Sequence, residues 1–374
     1  GLAGVSYIFA KDFERVASIL QADYSCALKL ATPVAFKSTI SKAGHNGIMI
    51  KGAKSIEALS SADTFIFDKT GTLTGGELEV ISVESYNPKW TEEQILNLTA
   101  STEEHYFHPV AEAVVKAAKQ RGFVHMHHEE VEFIVAHGVK TEVNGKSVII
   151  GSRHFLEDDE KIDFSEHKAN IENSLKDGKT LLYVGYDGKL LGTIGLSDEL
   201  RSNAKESISR LKKLGVKDII MLTGDTKEKA HRIAKELGID EVRAELLPQD
   251  KASIVKEFMQ KGKKVAFVGD GINDAPALIS AHVGISMSRG ADIAKATADI
   301  SLLKDDIAAV VEAKEYANKT MKIINNNFNA TVGINSAILA GATFGVFSPI
   351  VTAVLHNGTT IGLLLNSIKG VNIK

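Results

Sequence analysis

A lone aspartate, Asp68, follows the apolar run "TFIF" and opens onto a loop of threonine and glycine, "DKTGTLTGG", with Lys69 beside it. A carboxylate placed at a strand end, among hydroxyls and flexible backbone, can attack a phosphoryl group and form an acyl phosphate. That reaction needs Mg²⁺, cationic partners and backbone N–H groups to offset the clustered negative charge. Two further polar turns supply such groups. "KDIIML" runs into Thr223, Gly224 and Asp225, and "KKVAFV" runs into "GDGINDAP", which carries Asp270, Asn273 and Asp274. Asp270 and Asp274 are hard oxygen ligands or anchors suited to Mg²⁺. Thr223 and Gly224 offer a hydroxyl and an unobstructed N–H at a helix start, and Lys251 is a candidate phosphate cation.

Elements that can bring these turns together are written in the pattern. Strand-like runs precede each turn, and helical stretches such as "TKEKAHRIAKELG" separate them. Alternating strands and helices predict an α/β domain with a doubly wound parallel sheet, whose ligands bind beyond the carboxyl ends of the strands. The three turns are therefore expected to converge on one site. Residues 79–189 read differently: a helical stretch around "STEEHYFHPVAEAVVKAAKQ" is followed by β-rich runs with hairpin signals at Asn144-Gly145 and Asp187-Gly188. This predicts an α+β insertion in the sheet domain, which is divided into residues 47–78 and 190–318.

Both ends of the chain are apolar. Phe328 to Phe347 and Ile350 to Ile368 are uncharged stretches separated by Ser348 and Pro349, and about 20 helical residues span a hydrocarbon core of roughly 30 Å. A membrane hairpin is expected over residues 319–374, with the flanking lysines holding both of its ends in the cytoplasm. Residues 1–46 are read as membrane helices, the first one truncated; Val16 to Phe36, which contains Asp23 and Lys29, suits either a functional intramembrane helix or an amphipathic one. Among the 374 residues, Lys+Arg 44 against Asp+Glu 47 give a net charge of -3, which provides no global field for nucleic acid. A single cysteine, Cys26, excludes an internal disulfide framework and a multi-cysteine metal site.

"DKTGTLT", "TGD", "PQDK" (Pro248 to Lys251) and "GDGINDAPAL", in this order and spacing, resemble the phosphorylation domain of the P-type ATPases. The resemblance implies a haloacid-dehalogenase-like fold in which Asp68 takes the γ-phosphoryl of ATP. It also implies that Asp270 and the Thr70 carbonyl hold Mg²⁺ with Asp68, that Thr223 and Lys251 hold phosphoryl oxygens, and that Asn273 and Asp274 complete the network. The alternative within this fold is a soluble or membrane-anchored phosphatase. Such enzymes usually carry a second aspartate two residues after the nucleophile as general acid/base, and here that position is Thr70, whose hydroxyl cannot do that work at neutral pH. A degenerate regulatory fragment of a pump is a third reading.

"ASTEEHYFHPVAEAV" is similar to the nucleotide motif of the heavy-metal-transporting subclass, which implies adenine contacts from Glu103 and His108 and close backbone approach at Gly138 and Gly151. Departures stand at Tyr106-Phe107, Ala136 and Ser152. "YSCALKLATP" resembles the subclass's membrane metal motif with Tyr24 and Ser25 replacing a cysteine and a proline, and "HNGTT" resembles its His-Glu-Gly-Gly-Thr-like motif. Cys26, Asn335, His356 and Thr359 are the implied ligands of a transported divalent ion, one of Zn, Co, Fe, Mn or Cd, since a lone thiolate suits Cu⁺ poorly. The chain is accordingly expected to be the C-terminal portion of an integral membrane pump, with catalytic domains in the cytoplasm. The actuator domain and early membrane helices would lie outside it.

Overall fold

The computed structural model describes residues 12–21, 25–104, 108–134, 137–176, 179–288 and 292–371. They form two compact units, one of Gly1–Thr72 with Ser202–Lys374, the other of Leu73–Arg201.

The first unit is built on a seven-stranded sheet in the order β1 (Ile48–Ile50), β13 (Ile300–Leu302), β12 (Val283–Ser286), β11 (Val265–Gly269), β2 (Thr64–Asp68), β9 (Asp218–Leu222) and β10 (Glu241–Arg243). Only the edge strand β1 runs antiparallel to its neighbour. Every residue of β2 is buried, as a central strand covered on both faces requires, and its apolar run follows from that. The chain moves outward from β2 through β9 to β10, then returns to β11 on the other side of β2. Crevices at such reversals are where doubly wound sheets bind ligands. The register pairs Asp68 with Leu222 and Phe67 with Val268, so the turns after β9 and β11 flank Asp68 on both sides.

The second unit is a six-stranded antiparallel sheet, ordered β3 (Thr74–Ser85), β8 (Lys189–Leu200), β7 (Thr180–Tyr186), β6 (Lys146–Gly151), β5 (Gly138–Val143) and β4 (Glu132–Ile134). The expected limits 79 and 189 fall within or at the start of the long strands β3 and β8, which pair from Thr74 with Leu200 to Ser85 with Gly192. Both expected hairpin turns are left-handed at each central residue, with φ of 54° and 71° at Asn144-Gly145 and 52° and 73° at Asp187-Gly188. Ile95 and Leu98, and Val114 and Ala118, come from two helices, Glu92–Glu103 and Pro109–Gln120, and join Val148, Ile150 and Ile194 in one core.

The helical ends belong to the first unit. They include α1 (Ser25–His45), α2 (Ala53–Ser61), and two long helices nearer the C-terminus, Ala308–Thr343 and Pro349–Lys369. Ser348 caps the last of these, accepting a hydrogen bond from Val351 N at 3.4 Å, and Pro349 occupies its first turn. No helix among the described residues is long and apolar enough to cross a membrane. The expected hairpin is formed by two helices: Thr343 ends the first short of Phe347, and His356, Asn357, Thr359, Thr360 and Asn366 interrupt the apolarity of the second. Its polar residues turn inward. Asn327, Thr331, Asn335, Thr352, His356, Thr360 and Ser367 are buried, whereas Phe328, Ile350, Val354, Ile361 and Leu365 are exposed.

Candidate active site

The three polar turns converge. Asp68 ends β2 with 6 % exposure, and Lys251 at the start of the helix Asp250–Gln260 reaches it: Nζ lies 2.9 Å from Asp68 Oδ1 and 2.7 Å from Asp274 Oδ1. Asp274 is fully buried, and its Oδ2 accepts hydrogen bonds from the backbone N–H groups of Asp270 at 3.1 Å and Gly271 at 3.0 Å. It therefore fixes the turn after β11 while sharing the lysine with Asp68. Burial and the neighbouring Asp274 push the Asp68 carboxyl up to about 7 against the pull of Lys251. Burial also opposes the charge on Lys251, but Asp68 and Asp274 outweigh it and raise its affinity for a proton.

Oxygens of Asp68, Asp270 and Asp274 lie within 4.8 Å of one another. Carboxylates gathered this closely make a negative spot that a divalent cation would neutralise, and an all-oxygen donor set is what Mg²⁺ takes. The loop is shaped for close approach: a Cβ on Gly71 would stand 1.8 Å from Asp270 Oδ2, and Gly71 has φ of +71°. Gly71→Ala is expected to displace Asp270 and lower Mg²⁺-dependent phosphoryl chemistry by at least about tenfold, with folding of the sheet intact. A Mg²⁺ titration of activity checks this.

Thr223 is buried, and its Oγ1 accepts from Asp225 N at 3.0 Å. Asp225 takes Lys69 Nζ at 2.7 Å and Lys229 Nζ at 3.5 Å. Burial would raise Asp225, yet the two ammonium groups hold it below the usual carboxylate range. Lys69 thus serves Asp225 here and is itself buried. Gly224, Asn273 and Thr70 are exposed at the rim of the turns, and Thr70 is extended with φ of −72° and ψ of 129°.

In the second unit, Glu103, His108, Gly138 and Gly151 line one cavity of about 370 Å³, with Phe133, His137 and Leu182 among its walls. Gly138 pairs with Gly151 across β5 and β6, and a Cβ on either would stand 2.0 Å from Ile150 O or 2.3 Å from His137 O. Only glycines permit this approach. His108 caps the helix Pro109–Gln120, its Nδ1 accepting from Val110 N at 3.3 Å. With Nδ1 accepting, Nε2 is the ring's donor. Burial alone pushes the Glu103 carboxyl up to about 7 from 4.5. A raised folded value means its stabilising contribution is full below pH 4.5 and lost as pH rises through 7. Glu103→Gln should therefore match the parent in stability near pH 4 and exceed it by on the order of 3 kcal/mol above pH 7, measured by denaturant unfolding across that range.

In the helical hairpin, Asn327 Nδ2 donates to Ser367 Oγ at 2.9 Å, and Asn366 Nδ2 donates to Asn327 Oδ1 at 2.7 Å. Asn335 and His356 lie in the same inward polar faces. Thr359 is half-buried with its hydroxyl turned back to Leu355 O, whereas the buried neighbour is Thr360. The backbone of Cys26 belongs to α1, but its side chain lies outside the described residues, as do Tyr24, Tyr106, Phe107 and Ala136. Sequence reasoning missed Lys229, whose signal was its i+4 spacing from Asp225, and the inward set Asn327, Thr331, Thr352 and Thr360, whose signal was the same spacing along two helices.

Residues 62–282 match the haloacid dehalogenase-like hydrolase family. The chain is 37% identical over 368 residues to the manganese-exporting P-type ATPase of Mycobacterium leprae, a match covering 98% of this chain and 51% of that protein. It is 36% identical over 368 residues to the zinc-exporting P-type ATPase of Mycobacterium marinum, covering 98% and 50%. The chain thus spans about half the length of these relatives. Among solved structures, a zinc-transporting PIB-type ATPase in the E2.Pi state superposes with a TM-score of 0.83 at 33% identity, covering 93% of this chain and 56% of that one. The catalytic domain of the CPx-ATPase CopB-B gives 0.57 at 32% identity, covering 74% and 98%.

Proposed function

The chain belongs to the haloacid dehalogenase-like hydrolase family, and from that premise we propose that it is the catalytic half of an ATP-driven exporter of a divalent transition-metal ion. The observation that carries this reading is Asp68 at the sheet's reversal point, bridged to Asp274 by Lys251, with an exposed threonine where a phosphatase would hold its second carboxylate. ATP is the phosphoryl donor. The cavity with Glu103 and His108 takes the base, and a carboxylate oxygen of Asp68 attacks the γ-phosphorus as its bond to the β-bridging oxygen breaks. ADP leaves, and an aspartyl phosphate remains.

Mg²⁺, held by Asp68, Asp270 and the Thr70 carbonyl, would supply charge neutralisation for the transferring group. Lys251 and the Thr223 hydroxyl hold phosphoryl oxygens, Asp274 orients Lys251, and Asn273 supports the turn. Thr70 cannot serve as a general base at neutral pH, so the phosphoenzyme persists long enough to drive a transport step.

The transported ion is one of Zn²⁺, Co²⁺, Fe²⁺, Mn²⁺ or Cd²⁺, and Cys26, Asn335, His356 and Thr359 are its proposed ligands. Buried polar faces behind an exposed apolar surface support placement of the hairpin against lipid, with the rest of a membrane pump around it. The relatives' zinc and manganese export supports the ion class.

Incubation with Mg²⁺ and γ-labelled ATP is expected to leave label that hydroxylamine removes. Rapid release of phosphate from small phosphomonoesters, with no stable adduct, would make the protein a phosphatase instead.

A further inference from the structure

His137, His154 and Asp159 meet at the edge of the nucleotide cavity. One ring nitrogen from each histidine and one oxygen of Asp159 lie within 4.8 Å of one another. His137 Nε2 is 3.9 Å from Asp159 Oδ2, and the two imidazole centroids are 6.0 Å apart. The backbone prepares this meeting: Ser152 N donates to His137 O at 3.0 Å, next to the Gly138 and Gly151 pair, so two distant stretches of chain are fixed together. Asp158 Oδ2 lies 2.7 Å from His154 Nδ1. A carboxylate on one ring nitrogen is the contact that sets the tautomer of a metal-binding histidine and leaves the other nitrogen to the ion.

We propose that His137, His154 and Asp159 form a binding site for a borderline divalent transition-metal ion, with Zn²⁺ as its probe, that modulates nucleotide binding. Two imidazoles with one carboxylate suit such an ion and disfavour Mg²⁺, which takes oxygen ligands. Zinc bonds of about 2.0–2.2 Å require the three donors to close in. The side chains of His154 and Asp159 are 64% and 47% exposed, so both can turn toward His137. The fourth position stays open to water. Because His137 also lines the cavity, an ion that draws it toward Asp159 changes the cavity wall. This coupling, unlike the site itself, rests on the cavity being the nucleotide site.

The test counts Zn²⁺ bound by the tag-free full chain by calorimetry in excess Mg²⁺, which occupies the carboxylate cluster at Asp68. His154→Ala should lose one equivalent, and Asp159→Asn should weaken that equivalent about tenfold or more. His356→Ala should retain it. Both positions are exposed, so unchanged thermal unfolding is expected for the two rim variants. Fluorescent trinitrophenyl-ATP should then change affinity about fivefold or more on adding Zn²⁺ to the parent, and not at all in His154→Ala. Equal Zn²⁺ stoichiometry and affinity in the parent and His154→Ala would overturn the site, and a lost equivalent without any nucleotide response would overturn the modulation. Absence of nucleotide binding in zinc-free parent would instead refute the proposed function, with the Zn²⁺ count still deciding the site.

Discussion

Asp68→Asn should give no hydroxylamine-labile adduct from ATP, a loss on the order of 10⁴-fold or more in the rate of phosphoenzyme formation. The amide keeps the shape of the side chain and its place at the end of β2, but an amide oxygen is too weak a nucleophile to form the anhydride. Nucleotide affinity should not fall, because Glu103 and His108 line a cavity in the other compact unit and the amide removes a like charge from beside the γ-phosphoryl group. Stability should not fall in Mg²⁺-free buffer either. Asp68, Asp270 and Asp274 crowd their oxygens within 4.8 Å, and removing one of three like charges relieves repulsion even as it weakens the contact to Lys251. Asp68→Glu is the sharper control. It keeps the charge but moves the carboxylate about one carbon–carbon bond further out, and misplacement on the order of 1 Å costs about 10²-fold in a reaction that depends on alignment. A labelled adduct that survives in Asp68→Asn would place the phosphoryl group elsewhere and end the assignment.

The catalytic turns were legible because each sits directly after its own apolar strand, so a local pattern gave both the strand and the residue at its end. Lys251 could be assigned to the phosphoryl group on chemistry, and the structure puts it on Asp68 and Asp274. Less could be read where a contact depends on packing across distant segments. The pairing of Thr74 with Leu200 joins residues 126 apart in number, and no local signal marks it, so the inserted unit is broader than the helix and hairpin signals that announce it. Lys69 was legible as a site cation because it follows Asp68, but not its partner: on a buried turn neighbouring side chains need not point the same way, and this one pairs with Asp225 of the second polar turn. Thr359 and Thr360 differ by about 100° around a helix, which is enough to bury one hydroxyl and half expose the other. The uncharged C-terminal stretches were visible, but the absence of charge is a weaker criterion than apolarity, and amides, hydroxyls and an imidazole separate the two.

Lys314→Met should destabilise the first unit by about 3–5 kcal/mol, although the substitution introduces a side chain of similar length and greater apolarity. Lys314 lies in the first turns of the helix Ala308–Thr343 and is 2 % exposed. Its ammonium donates to three carbonyls at the end of α2: Leu59 O at 2.8 Å, Ser60 O at 2.9 Å and Ala62 O at 2.8 Å. These acceptors close a helix C-terminus, where the backbone dipole favours a cation. Burial pulls the lysine down to about 8, so the ammonium form still predominates at neutral pH. Methionine would fill the volume and leave the carbonyls without their cation, and each unsatisfied buried acceptor costs about 1–3 kcal/mol. Lys314→Arg should recover only part of the loss, since a planar guanidinium cannot direct three N–H groups to one converging set of oxygens. Hydrogen exchange gives the decisive readout. In Lys314→Met, protection should fall in α2 and in the first turns of the helix Ala308–Thr343, while the antiparallel sheet of residues 73–201 keeps its protection. Equal protection in parent and variant would show that the three carbonyls find other donors and that this lysine does not pin the long helix to α2.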